Sequence, residues 1–244
     1  MSLVVSSPLR GVTTVTLDFP ERRNALSAEL VGALAEALHD LGEDTAVRAV
    51  LLTHTGTTFC SGADLKAPPD PAEFVRLLRQ IVELPKPVVA RVDGHVRAGG
   101  LGLLGACDLA VAGPAASFAF TEVRIGVAPA VISLPLLPRL DPSAASRHFL
   151  TGERFDAAEA SRIGLITAYA ADVDAALEPL LDGLRAAAPH ALAETKKLLT
   201  AKVLDAFDTY SDAVTALSAR LFGSAEAREG MAAFLERRER PWVL

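Results

Sequence analysis

The sequence predicts an α/β core that comes first in the chain, followed by a helical C-terminal region. Three observations predict it. Apolar β-branched runs alternate with amphipathic helical stretches through the first half. Beyond Ser161, only Leu165–Thr167 offers a further strand, and stretches rich in Ala, Leu, Glu and Arg take over. Half of the 244 residues are hydrophobic but only 5% are aromatic, so a large core must be filled by Ala, Val and Leu.

The elements follow in order. Val12–Leu17 alternates Val and Thr and reads as a strand. Ser27 can cap a helix through about His39, with Leu30, Val31, Leu34, Ala37, Leu38 and Leu41 at helical spacing. Val47–Thr53 is the next strand, and Pro71–Leu84 is a helix with Phe74, Leu77, Leu78 and Ile81 on one face. Pro87–Val92 and Leu109–Ala112 are short apolar strands, and Ser117–Phe120 offers another. Strands separated by helices imply largely parallel pairing, because parallel neighbours need a crossover. Helices are predicted over Asp156–Ile163, Val173–Ala188, Ala191–Ala206, Asp208–Arg220 and Ala225–Arg238.

Composition excludes several classes of function. A net charge of −6 argues against a nucleic-acid groove, which shows as a basic excess. Cys60 and Cys107 cannot make a disulfide framework, and with five scattered histidines no metal site is expected. The runs without charge, Arg48 to Asp64 and Arg124 to Arg139, are too short to span a bilayer. The N-terminal segment lacks a basic region followed by a long apolar run, so the expectation is a cytoplasmic protein with no membrane partner.

Gly100-Leu-Gly102-Leu-Leu-Gly105 fits G-x-G-x-x-G, and Glu122 follows Gly102 by 20 residues, as in a dinucleotide fingerprint. That fingerprint needs a strand, a tight turn and a full helix. Here Asp93–Ala98 is too long for the turn, and Asp108 and the next strand arrive too soon for a full helix. Two other stretches suit chemistry better. Small residues at 61–63 let a ligand approach the main chain and leave the Ala63 N–H free to donate. Ala98-Gly99-Gly100 opens a short helix, whose first N–H groups are unpaired and electropositive. Two such N–H groups converging on one oxygen make an oxyanion hole.

Taken with the rest of the chain, these stretches resemble the crotonase (enoyl-CoA hydratase/isomerase) superfamily. Asp18-Phe-Pro-Glu-Arg-Arg-Asn-Ala-Leu-Ser27 resembles the N-terminal N-x-P-x-x-R-N-A-L-S segment, and Phe59–Lys66 resembles F-x-x-G-A-D-[IL]-K. Val92–Leu103 through Cys107-Asp108 resembles V-x-G-x-x-x-G-G-G-x-E-L…C-D. Phe118-Ala-Phe-Thr-Glu122, Ile125-Gly-Val-Ala-Pro129, Ala160–Ile166 and Glu229-Gly-Met-Ala-Ala-Phe234 continue the match in order and spacing.

The resemblance implies a ββα spiral core over residues 1–190. Residues 191–244 would form a helical region for trimerisation and for covering coenzyme A. It implies that the Ala63 and Gly99 N–H groups hold an acyl-CoA thioester carbonyl and that Glu122 is the catalytic carboxyl. Asp64, Leu65 and Lys66 would line the coenzyme A path, with Lys66 and Arg23 near its phosphates. Phe234, with Arg237 beside it, would cover the coenzyme. Coenzyme A enters as substrate; no cofactor or metal is implied, and the expected partner is a second copy of the chain, as a homotrimer or a dimer of trimers.

The departures matter as much. Family hydratases carry two glutamates; here Gly102 occupies the first position, and neither His95 nor Asp108 aligns with it. The glycine-rich P-G-[AG]-G-G-T-Q segment reads Pro129-Ala-Val-Ile-Ser-Leu-Pro135. The expectation is an enoyl-CoA hydratase-like lyase working with one glutamate. The alternatives are a 3,2-enoyl-CoA isomerase, for which one carboxylate suffices, and a non-catalytic acyl-CoA binder, which would have no reason to retain Glu122.

Overall fold

The computed structural model describes residues 2–244. In chain order the elements begin with β1 (Leu3–Val5), β2 (Val12–Leu17), α1 (Ala28–Glu43), β3 (Ala49–His54), β4 (Thr58–Cys60) and α2 (Pro71–Glu83). There follow β5 (Val88–Val92), β6 (His95–Arg97), α3 (Gly99–Ala106), β7 (Leu109–Ala112) and β8 (Ser117–Ala119). The chain continues through α4 (Ser133–Leu136), α5 (Pro142–Thr151), β9 (Phe155–Asp156), α6 (Ala157–Arg162) and β10 (Ala168–Tyr169). It ends in α7 (Val173–Ala186), α8 (Pro189–Phe222) and α9 (Ala225–Glu236).

The strands sort into two sheets by a simple rule. In each successive pair, β3/β4, β5/β6 and β7/β8, the first strand enters a six-stranded sheet and the second a four-stranded one. The large sheet runs β1-β2-β3-β5-β7-β10, parallel except for the antiparallel edge strand β1. The small sheet runs β4-β6-β8-β9, with β4, β6 and β8 parallel. The chain therefore advances as strand, strand, helix, the spiral the resemblance implies.

Parallel strands covered on both faces must be apolar throughout. Val89 and Val111 pack under Val173, Leu177 and Leu181 of α7 on one face of the large sheet. Val88, Ala90 and Ala110 join the main core, shared with α1, α2, α3 and the small sheet. Ser27 caps α1 by accepting the Leu30 N–H at 3.2 Å, and the helix continues to Glu43, four residues past His39.

Besides the edge strand β1, the two-residue strand β9 and the short helix α4, which the sequence reading did not include, the structure corrects that reading at five places. Thr58–Cys60 and His95–Arg97 are strands, although neither segment carries an alternating pattern long enough to announce one. Pro142–Thr151 is a helix, started by the Asp141 cap and Pro142 and stopped by Gly152 at φ 59°. The strand expected at Leu165–Thr167 lies at Ala168–Tyr169. The two helices expected over Ala191–Ala206 and Asp208–Arg220 are one 34-residue helix, since Phe207 continues the core-facing stripe of Val203 and is wholly buried.

The front of α8 is fixed by charge as well as packing. Lys196, 5% exposed, places Nζ 2.7 Å from Asp108 Oδ2 and donates to the Ile81 and Lys86 carbonyls at 2.8 and 3.1 Å. Asp108 Oδ2 also accepts the Val88 N–H at 2.8 Å, so one carboxylate joins α8 to β5 and β7. Among the described residues, no helix is long and apolar enough to cross a membrane.

Candidate active site

A cleft of about 700 Å³ opens where the 61–66 loop, the start of α3, the turn after β8 and the C-terminal helices meet. Its position follows from the two-sheet rule: the small sheet ends at Cys60, Arg97 and Ala119, so the segments after β4, β6 and β8 emerge side by side.

Ala63 is presented by main-chain pairing. Leu26 donates its N–H to Gly62 O, and its carbonyl accepts the Asp64 N–H, both at 2.8 Å. This parallel bridge holds Leu26 against Ala63 and uses the groups flanking Ala63. The Ala63 N–H donates to no protein acceptor among the described residues. Gly62, at φ 91°, lies so close to Ala98 that a Cβ on it would meet the Ala98 Cβ at 2.8 Å. A Cβ on Gly99 would in turn stand 3.7 Å from Gly62 Cα, so the two segments touch. Gly99 is the first residue of α3, where helix geometry leaves the N–H without a partner. Two free N–H groups therefore stand on adjoining segments at the mouth of the cleft.

Ala98 itself adopts φ 47° and ψ −122°, a conformation that disfavours a side chain. Ala98→Gly is expected to relieve this strain and stabilise the fold by about 1 kcal/mol. A higher melting temperature than wild type checks it; an unchanged or lower one shows that the Ala98 methyl contact with Gly62 matters more.

Glu122 begins the short turn Glu122–Ile125, and its carbonyl accepts the N–H groups of Gly126 and Val127, which closes the turn upon it. The side chain is buried at 7% exposure, and Oε2 has no hydrogen-bond partner. Burial pushes its carboxyl up to about 8, opposed only by a hydrogen bond from its own backbone. A buried, unpartnered carboxyl in a cleft is a candidate acid–base group.

Gly102, buried on α3, does not line the cleft, and the space a side chain would need there is taken. A Cβ there would lie 2.6 Å from Ile132 Cγ2 and 3.4 Å from Leu78 Cδ1. The filler is Ile132 from the altered Pro129–Pro135 segment. The two departures noted in the sequence are one structural event.

The remaining candidates converge unevenly. Arg23, Asp64, Leu65, Lys66 and Phe234 line the cleft together with Ala63, Gly99 and Glu122. Asp64 is engaged within the protein: Oδ2 pairs with Arg22 at 3.1 Å and Oδ1 accepts the Lys66 N–H at 3.0 Å. Arg237 is not among the lining residues; it takes the left-handed conformation that ends α9 at φ 56°, and Arg240 lines the cleft instead. His95 and Asp108 are elsewhere, the first against Ser117 Oγ and the second against Lys196. Among the described residues, no group of three or more His, Cys, Asp or Glu side chains gathers to hold a metal.

Comparison with known proteins gives a consistent picture. The family model described as enoyl-CoA hydratase/isomerase matches residues 9–243. An enoyl-CoA hydratase of Mycobacterium avium has a similar structure, with a TM-score of 0.93 and 51% identity over 99% of both chains. An enoyl-CoA hydratase/isomerase of Pseudoalteromonas atlantica gives 0.89 and 31%, covering all of both chains. The Escherichia coli 1,2-epoxyphenylacetyl-CoA isomerase is 30% identical over 98% of this chain and 97% of its own.

Proposed function

Because the chain belongs to the enoyl-CoA hydratase/isomerase family of the crotonase superfamily, we propose that it moves a proton beside the carbonyl of an enoyl-CoA thioester, with Glu122 as its one acid–base group. We place double-bond isomerisation ahead of hydration. The observation that carries this order is Ile132 against Gly102: the second carboxyl of the family hydratases is missing there, and Ile132 Cγ2 lies 2.6 Å from where a Cβ would stand.

In this reading the thioester oxygen lies between the Ala63 and Gly99 N–H groups. Ionised Glu122 takes a C2 proton from a 3-enoyl thioester, the C2–H electron pair passes into the carbonyl, and the oxygen becomes an enolate. Each preorganised donor is worth roughly 2.7–4 kcal/mol to that charge. Glu122 returns the proton at C4 as the double bond shifts to C2–C3. Hydration, the first expectation from the sequence, needs Glu122 to activate a water for attack at C3 and then to protonate C2. Neither route calls for a metal or an organic cofactor. We place Lys66 and Arg23 near the coenzyme phosphates, and Asp64, Leu65 and Phe234 along the coenzyme.

Conjugated enoyl thioesters absorb in the ultraviolet, so mixing decides between the readings. Absorbance gained from a 3-enoyl-CoA is the expected result. Absorbance lost from a 2-enoyl-CoA with no gain from the 3-enoyl substrate would make hydration the function, and binding without either change would make the chain an acyl-CoA binder.

Gly102→Glu tests the reason. Its new side chain must displace Ile132, so the single variant is expected to lose stability and gain no hydration. Gly102→Glu combined with Ile132→Gly clears the space and is expected to hydrate faster than either single variant. Equal hydration rates in all three would show that Ile132 does not limit hydration. A trimer or dimer of trimers is also our proposal, supported by Leu198 and Leu199 on α8 at 80% and 77% exposure; a monomer in sedimentation at micromolar concentration would contradict it.

A further inference from the structure

The helix α9 presses glycine to backbone against the turn that carries Glu122. A Cβ on Gly230 would lie 2.5 Å from the carbonyl carbon and oxygen of Ile125 and 2.7 Å from its Cα. The turn reciprocates: a Cβ on Gly126 would meet Glu226 C at 2.7 Å and Ala227 N at 2.8 Å. Neither contact involves a side chain that can swing aside. Ala227 and Ala233 are fully buried on the same helix.

Glycine in the middle of a helix is unfavourable, and alanine there is the better helix former. Gly230 therefore stands at a position where local propensity is sacrificed to a close approach. What it approaches is the end of the turn that Gly126 and Val127 close onto the Glu122 carbonyl. The far end of the same helix brings Phe234 and Leu235 into the cleft. One rigid helix thus touches both the region assigned to the coenzyme and the backbone that sets the catalytic carboxyl.

We propose that α9 is the positioning element for Glu122, with Gly230 the positioning residue, so that the helix over the coenzyme also fixes where the carboxyl stands. The inference rests on Glu122 being the acid–base group. Misplacing a reacting group by about 1 Å can cost on the order of 10²-fold in rate.

The test compares wild type, Gly230→Ala, Ala227→Gly and Glu122→Gln. Gly230→Ala crowds the contact and Ala227→Gly slackens it, so either suffices if the other does not fold. Steady-state rates on a 3-enoyl-CoA are one readout. The infrared band of the protonated carboxyl that Glu122→Gln removes is another, and it needs no turnover. Gly230→Ala is expected to lower kcat at least tenfold with KM within about twofold, and to move the titration of that band below about 8. A variant that melts earlier yet keeps kcat and the titration midpoint would reduce α9 to a structural part and overturn the proposal. A rise in KM with kcat unchanged would overturn it too, as a coenzyme contact only. If Glu122→Gln itself keeps the wild-type rate, the underlying reading has failed instead, and the infrared comparison alone decides whether α9 controls the carboxyl.

Discussion

Glu122→Gln is expected to lower turnover of an enoyl-CoA by about 10⁴-fold, the upper end for a general acid–base group, because in the proposed reaction one carboxyl both takes and returns the proton. Affinity for the thioester is expected to stay within a few fold, since the groups assigned to binding are the Ala63 and Gly99 N–H groups and Lys66. The pH dependence has a defined sign. In the proposed reaction ionised Glu122 is the base, and burial pushes its carboxyl up to about 8, so kcat/KM should rise with pH and level off above that value. Stability moves the other way. The folded protein favours the neutral acid, so raising the pH from about 4.5 to 8 costs wild type stability that Gln does not lose. The variant should therefore melt higher than wild type at pH 8, with the gap closing towards pH 4. A wild-type rate in the variant would require another base.

Lys196→Met is expected to cost about 3–5 kcal/mol, the penalty for leaving one charge of a buried pair uncompensated. Burial lowers the Lys196 ammonium and raises the Asp108 carboxyl, and their 2.7 Å contact opposes both shifts. Two main-chain carbonyls, Ile81 O and Lys86 O, also lose their donor. The pair Asp108→Asn with Lys196→Met should cost less than the sum of the two singles, because Asn leaves no stranded charge. Denaturant unfolding of the four proteins measures this. A loss below 1 kcal/mol for Lys196→Met would show that Val203 and Phe207 hold α8 without the ion pair.

What was legible in the sequence has a physical pattern. Val12–Leu17 and Leu109–Ala112 coincide with their strands because their β-branched or apolar runs announce themselves. Thr58–Cys60, at three residues, lacks the length to show a period, and it exists because the neighbouring strand completes its hydrogen bonds. Pro142–Thr151 carried readable signals, Asp141-Pro142 at its start and Gly152 at its end. In α8 nothing between Ala206 and Asp208 could break a helix, so the division expected there had no physical cause.

The cleft shows the same division. Glu122, Ala63 and Gly99 were found through motif and resemblance, and they meet in one place. Ile132 was visible only as a departure from pattern. That it fills the space over Gly102 depends on two segments 30 residues apart, which no local rule connects. The contact of Gly230 with Ile125 spans more than 100 residues and is invisible for the same reason.

Glu122 is proposed to remove a proton from the carbon beside a thioester carbonyl whose enolate the Ala63 and Gly99 N–H groups stabilise. Exchange of the C2 hydrogens of a saturated acyl-CoA in deuterated water, followed by NMR, tests it without requiring isomerisation or hydration. Exchange is expected to be catalysed by wild type and absent in Glu122→Gln while the thioester still binds. Exchange that persists in Glu122→Gln at the wild-type rate would contradict it.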